Sequence, residues 1–151
     1  MVKITLDNVF ELAKRNEILK LSPVTHSAPN IFTLLEPVQI ELSNGDVFTI
    51  DKGWEFDGAS VPWIFQPLFQ KFGIHTYSSL VHDMLYYIHY KNRKFADNEH
   101  RIWAESLKIK KIDVMIRFCF LRLFAWFFWG KGKLFPSRRL NRNKALTIKE
   151  M

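Results

Sequence analysis

Apolar and polar positions alternate from Val38 to Leu42, with Val38, Ile40 and Leu42 separated by Gln39 and Glu41, the two-residue period of a strand with one buried face. The stretch "SNGD" follows, placing Asn44 and Gly45 where a two-residue type I′ turn needs positive φ, and "VFTIDKGWEF" returns, so the pattern predicts a β-hairpin. Upstream, Leu6, Val9, Phe10, Leu12, Ala13 and Ile18 recur at helical spacing with polar interruptions, which predicts a helix or a helix followed by loop over 6–20. Between 56 and 73, Gly58, Pro62 and Pro67 break any long regular element and predict a structured loop. Helical spacing resumes over 77–91, 94–108 and 111–129, joined by the polar links "KNRK" and "KIKK". The predicted fold is α+β. An N-terminal β-hairpin or small antiparallel sheet packs on a bundle of about three helices, forming one domain over residues 1–135 with a basic tail over 136–151.

Composition sharpens this picture. Of 151 residues, 48% are apolar, and 14 Phe and 5 Trp supply either a large aromatic core or an exposed aromatic surface, which excludes disorder for most of the chain. The single cysteine, Cys119, allows no internal disulfide and no cysteine-pair metal site. The first twenty residues alternate charge with apolar side chains and carry no signal-peptide pattern. A net charge of +7, concentrated after Lys108, attracts anionic lipid, nucleic acid or acidic protein surfaces; no nucleic-acid-reading motif accompanies it.

The most apolar segment, 112–129, nearly reaches membrane-spanning length but contains Asp113, Arg117 and Arg122. Each such charge costs about 2.5–3.5 kcal/mol at the centre of a spanning helix, against a gain of about 0.3–0.6 kcal/mol for each strong apolar residue. Spanning is therefore not expected. Two placements satisfy the segment: a core helix with Arg117 and Arg122 paired or snorkelling, or an interfacial helix with Trp126, Phe127, Phe128 and Trp129 among acyl chains and Lys131 and Lys133 at the phosphates.

The helix over 77–91 offers Leu80, Val81, Met84, Leu85 and Ile88 to a core yet sets His82 beside Asp83. His82, Tyr86 and His89 share one stripe, and Asp83 points sideways from it. Near a cleft, His82 can act as a base provided that its other nitrogen donates to an acceptor, and Asp97, returned by an antiparallel second helix, fits that role, with Tyr86 bonding the same carboxylate. Asp83 then suits a hard cation such as Ca2+, with Asp57 as a second carboxylate and the Gly58 loop as a source of carbonyl ligands. The alternative is a core histidine, an exposed Asp83, and an Asp97 that merely complements a helix dipole.

Three motifs in order, "FDGASVP" at 56–62, "HDMLY" at 82–86 and "ADNEHRIWAE" at 96–105, resemble a phage and prophage family, domain of unknown function 1353, over residues 33–130. This resemblance implies a phage or prophage origin and, with it, a place in the host cytoplasm or the virion. His82-Asp83-x-x-Tyr86 also resembles the H-D-x-x-Y helix of phospholipases A2, with Ala96-Asp97 similar to their partner aspartate. That second resemblance implies His82 as general base, Asp83 as Ca2+ ligand, and Tyr86 and Asp97 as the groups that orient the histidine. The glycine-rich calcium loop of those enzymes lies shortly before the helix, whereas Asp57-Gly58-Ala59 lies some two dozen residues upstream with one glycine.

The expected function is thus a phage-associated lipid or ester hydrolase acting at an anionic phospholipid surface, or a non-catalytic virion or assembly protein that binds other virion proteins. A third reading, a metal-dependent phosphohydrolase, draws on His75 or His100 with His82, Asp83 and Asp97. Ser60 lacks the glycine-flanked elbow of a serine nucleophile.

Overall fold

A computed structural model describes residues 1–15, 21–23, 32–56, 74–124, 129 and 146–147. The alternation at 38–42 does what its period dictates. Strands β4 (Val38–Glu41) and β5 (Val47–Ile50) pair antiparallel, and Val38, Ile40, Leu42, Phe48 and Ile50 are all buried on one face. The turn differs from the predicted type I′. Glu41 stands opposite Val47, the Leu42 N–H donates to the Asp46 carbonyl, and the Gly45 N–H donates to the Leu42 carbonyl, leaving the three-residue loop Ser43–Gly45. Only Gly45 in it has positive φ (86°), because Asn44 instead accepts a bond from the Asp46 N–H through its side chain.

Strand β1 (Val2–Ile4) lies parallel to β4, with Ile4 opposite Ile40, so the sheet is mixed where an antiparallel one was expected. Parallel neighbours need a long crossover, and residues 5–37 provide it, including helix α1 (Val9–Lys14) with Val9 fully buried. At the other edge β7 (Leu146–Thr147) pairs with β5, which gives the order β1-β4-β5-β7 and draws part of the expected basic tail into the sheet. A second, antiparallel sheet holds β2 (Leu21–Pro23), β3 (Phe32–Leu34) and β6 (Glu55–Phe56) in the order β2-β3-β6. The expected single return strand "VFTIDKGWEF" is therefore two strands. Gly53, at φ 92°, turns the chain away from β4, and its N–H and the Trp54 carbonyl then bond Leu34 beside β3.

Helices α2 (Thr76–Ile88), α3 (Arg93–Ser106) and α4 (Lys111–Phe124) complete the α+β architecture. Leu80, Val81, Met84 and Leu85 of α2 join Ala96, Trp103 and Leu107 and the buried sheet residues in one core. The α2–α3 link is short because His89 takes a left-handed conformation at the end of α2 and Asn92 caps α3, accepting the Phe95 N–H at 2.9 Å. Contacts across the pair run Tyr90–Phe95, Tyr86–Asp97 and His82–His100, the order that antiparallel helices produce. No helix among the described residues is long and apolar enough to cross a membrane.

Candidate functional site

Helical spacing places His82 and Tyr86 one above the other on α2, with ring centroids 4.1 Å apart. The Asn92 cap fixes where α3 begins, so Asp97 falls in its second turn, facing that stripe and fully buried. It is not the first-turn charge of the dipole reading. Asp97 Oδ1 accepts the Tyr86 hydroxyl at 2.5 Å and lies 3.2 Å from His82 Nε2. Its Oδ2 accepts Arg122 Nη1 at 3.0 Å and lies 3.6 Å from Arg93 Nε. Arg93 in turn donates to the Arg122 carbonyl at 2.7 Å, so one carboxylate ties together α2, α3 and α4.

Burial opposes ionisation of Asp97, but the bonds from His82, Tyr86 and Arg122 outweigh it and hold the carboxyl below its ordinary range. The same balance acts on His82: burial disfavours the imidazolium, yet the nearby Asp83 and Asp97 carboxylates raise its pKa above the ordinary 6.5. Tyr86 is pushed far up by burial and by its bond to Asp97, so its hydroxyl stays a donor. An ionised Asp97 calls for a proton on His82 Nε2, which leaves Nδ1 as the free nitrogen. Nδ1 stands 3.8 Å from Asp83 Oδ1, and Asp83 Oδ2 is buried with no hydrogen-bond partner among the described residues.

Beneath this group His100 sets its ring edge against His82, with centroids 5.5 Å apart. Burial, followed by the charges of His82, Arg117 and His75, holds the His100 pKa well below 6.5; burial and Arg117 bring His75 to about 4. Among the described residues no three His, Cys, Asp or Glu side chains form a group able to hold a metal ion. Asp57 and Gly58, expected beside Asp83, and Ser60 lie outside the described residues, as do Trp126, Phe127, Phe128, Lys131 and Lys133. Trp129 packs edge-on against Tyr86 and His89 at 4.8 and 4.7 Å, turned toward α2.

Sequence reasoning brought His82, Tyr86, Asp83 and Asp97 together but missed both arginines on Asp97. Arg93 carried a signal, standing four residues before Asp97 on the same helix. Arg122 carried only its position in an apolar run. Glu99 was missed as well. It is buried and accepts the Ser43 N–H and Trp103 Nε1–H, both at 3.2 Å, and the Ser43 hydroxyl, which pins the β4–β5 turn to α3. Its signal was its place on the buried stripe Ala96, His100, Trp103 and Leu107.

The family described as "Protein of unknown function (DUF1353)" matches residues 32–120, more than half of the chain and all of α2 and α3. The chain belongs to this family. The matched region contains His82, Asp83, Tyr86, Asp97 and Glu99, whereas Arg122 lies just beyond it. Neither a curated protein nor a solved structure matches the chain.

Proposed function

We propose that this is a phage-associated, metal-assisted lipid or ester hydrolase of the phospholipase A2 kind, acting at an anionic phospholipid surface from the host cytoplasm or the virion. The observation that carries the reading is Asp97 Oδ1, shared by the Tyr86 hydroxyl and His82 Nε2 while His82 Nδ1 faces Asp83. In this reading Asp97 and Tyr86 hold the imidazole in one tautomer and one orientation. Nδ1 takes a proton from the attacking water and later returns it to the leaving oxygen, a role worth about 10²–10⁴-fold in rate. Asp83, with a buried oxygen that has no partner among the described residues, suits a Ca2+ ligand, and Asp57 and the Gly58 carbonyl are proposed to complete the set. When bound, the ion supplies Lewis-acid polarisation of the substrate carbonyl. The test is fatty-acid release from phosphatidylglycerol vesicles across a calcium series. The reading expects release that requires calcium and disappears in His82→Ala with its circular dichroism intact; intact vesicles at every calcium concentration would defeat it.

A second reading is favoured by the saturation of Asp97, whose partners come from three helices, and by the burial of His82, which is 7% exposed. Here the cluster staples the helices of a non-catalytic virion or assembly protein that binds other virion proteins. It expects His82→Ala to melt several degrees below a parent protein that hydrolyses nothing; an unchanged melting temperature would count against it.

A further inference from the structure

Helix α4 turns the wrong way out for an ordinary surface helix. Its inner face carries Val114 and Arg117, both buried, while Ile112, Met115, Ile116 and Leu123 are 58%, 59%, 46% and 65% exposed. With exposed Cys119, these five positions share one face at spacings of three, four, seven and eleven residues, a continuous apolar stripe along the helix. Exposed Lys110 and Lys111 stand at the N-terminal end of the stripe, in a chain of net charge +7, while the Lys108 ammonium lies over the Phe10 ring at 4.1 Å.

We propose that this face of α4 docks on an anionic phospholipid bilayer, with the stripe lying among the upper acyl chains and Lys110 and Lys111 against phosphate headgroups. Apolar residues on one side with lysines at the margin are the chemistry by which an in-plane helix meets such a surface. Charge complementarity selects this occupant. A second copy of the chain would bring two strongly cationic molecules together and offer no carboxylate on the stripe to meet the lysines. The interfacial reading of 112–129 put Trp129 among the acyl chains, whereas Trp129 is engaged with Tyr86 and His89 and the exposed apolar face runs from Ile112 to Leu123. The inference rests on the lipid-hydrolase reading in giving that enzyme its docking face, yet its test separates the two.

Cys119 is the only cysteine and lies within the stripe, so a polarity-sensitive thiol fluorophore attached there reports directly on this face. In the full chain carrying His82→Ala, which removes hydrolysis from the measurement, phosphatidylglycerol vesicles should shift the emission to the blue and raise it at least twofold. Phosphatidylcholine vesicles should leave it near the starting value. The response should fade in high salt and in Lys110→Glu/Lys111→Glu, and vanish in Ile112→Asp/Leu123→Asp. An unchanged spectrum with anionic vesicles overturns the proposal, whether or not the chain sediments with them. An equal response to neutral lipid, or a shift that grows with protein concentration without lipid, overturns it as well, the latter assigning the stripe to a second copy. A vesicle response without hydrolysis by the parent protein would leave the docking face standing and remove the catalytic reading.

Discussion

Asp97 and Glu99 stand two residues apart on α3, are 0% and 1% exposed, and face different sides of the helix. Asp97 is met by an imidazole, a phenol and two guanidinium groups; Glu99 is met by a backbone N–H, a hydroxyl and an indole N–H. Burial alone does not tell the two carboxylates apart. Partners do: those of Glu99 are neutral donors that hold a turn in place, whereas Asp97 fixes the protonation of a histidine that has a second nitrogen to use.

The comparison can be broken at several points. The largest effect is expected for Asp97→Ala, which strands Arg122, Arg93 and His82 without their shared anion. A loss of about 3–5 kcal/mol in urea unfolding, at unchanged slope, is the expected result. Glu99→Ala leaves the Ser43 and Trp103 donors unpaired and should cost about 2–3 kcal/mol, and under the proposed hydrolase reading the molecules that remain folded keep the parent's specific activity. Equal loss of specific activity in both variants would erase the distinction between the two acids.

Acidity should weaken the fold below neutrality. His75 and His100 have folded pKa values below the 6.5 of the unfolded chain, His75 reaching about 4, so between these limits the unfolded state binds more protons and stability falls as pH falls. His82 works in the opposite sense: raised above 6.5, it contributes fully below that value and loses its contribution as pH rises through the folded pKa. Asp97, lowered below 3.8, contributes above that value and loses its contribution only as pH falls through its depressed folded pKa. Two histidines thus oppose one, and the melting temperature should drop from pH 7 to pH 5. His100→Gln should flatten that slope, and a steeper slope would contradict the assignment.

Smaller effects sharpen the picture. Tyr86→Phe removes one donor from an ionised carboxylate and should cost about 1.5–3 kcal/mol of stability and, under the proposed hydrolase reading, much of the activity, since the imidazole loses part of its support. Gly53→Ala meets nothing within 4 Å among the described residues, so only its φ of 92° opposes the change, and a loss of about 1 kcal/mol is expected in urea unfolding.

Much of this site was legible because its geometry is local. Four-residue spacing sets Tyr86 on His82, and a short polar link returns the next helix antiparallel, which carries Asp97 back to both. The β4–β5 hairpin was legible for the same reason, although its turn was not, because the side chain of Asn44 chose a bond to Asp46 over a left-handed backbone. What escaped depends on long separations in sequence. The parallel pairing of β1 with β4, the addition of β7 to β5 and the reach of Arg122 to Asp97 leave no periodic trace. Glu99 escaped for a different reason: a carboxylate amid "ADNEHR" reads as solvated until the turn that it holds is known.

The claim on which the account turns is that Asp97 keeps the proton of neutral His82 on Nε2 and leaves Nδ1 free. Nitrogen-15 NMR of the chain with labelled histidines, assigned through His82→Gln and recorded above the titration of His82, reads this directly. The account predicts a protonated Nε2 and an unprotonated Nδ1, a preference that collapses in Asp97→Asn. A proton found on Nδ1, or a tautomer indifferent to Asp97, would contradict it.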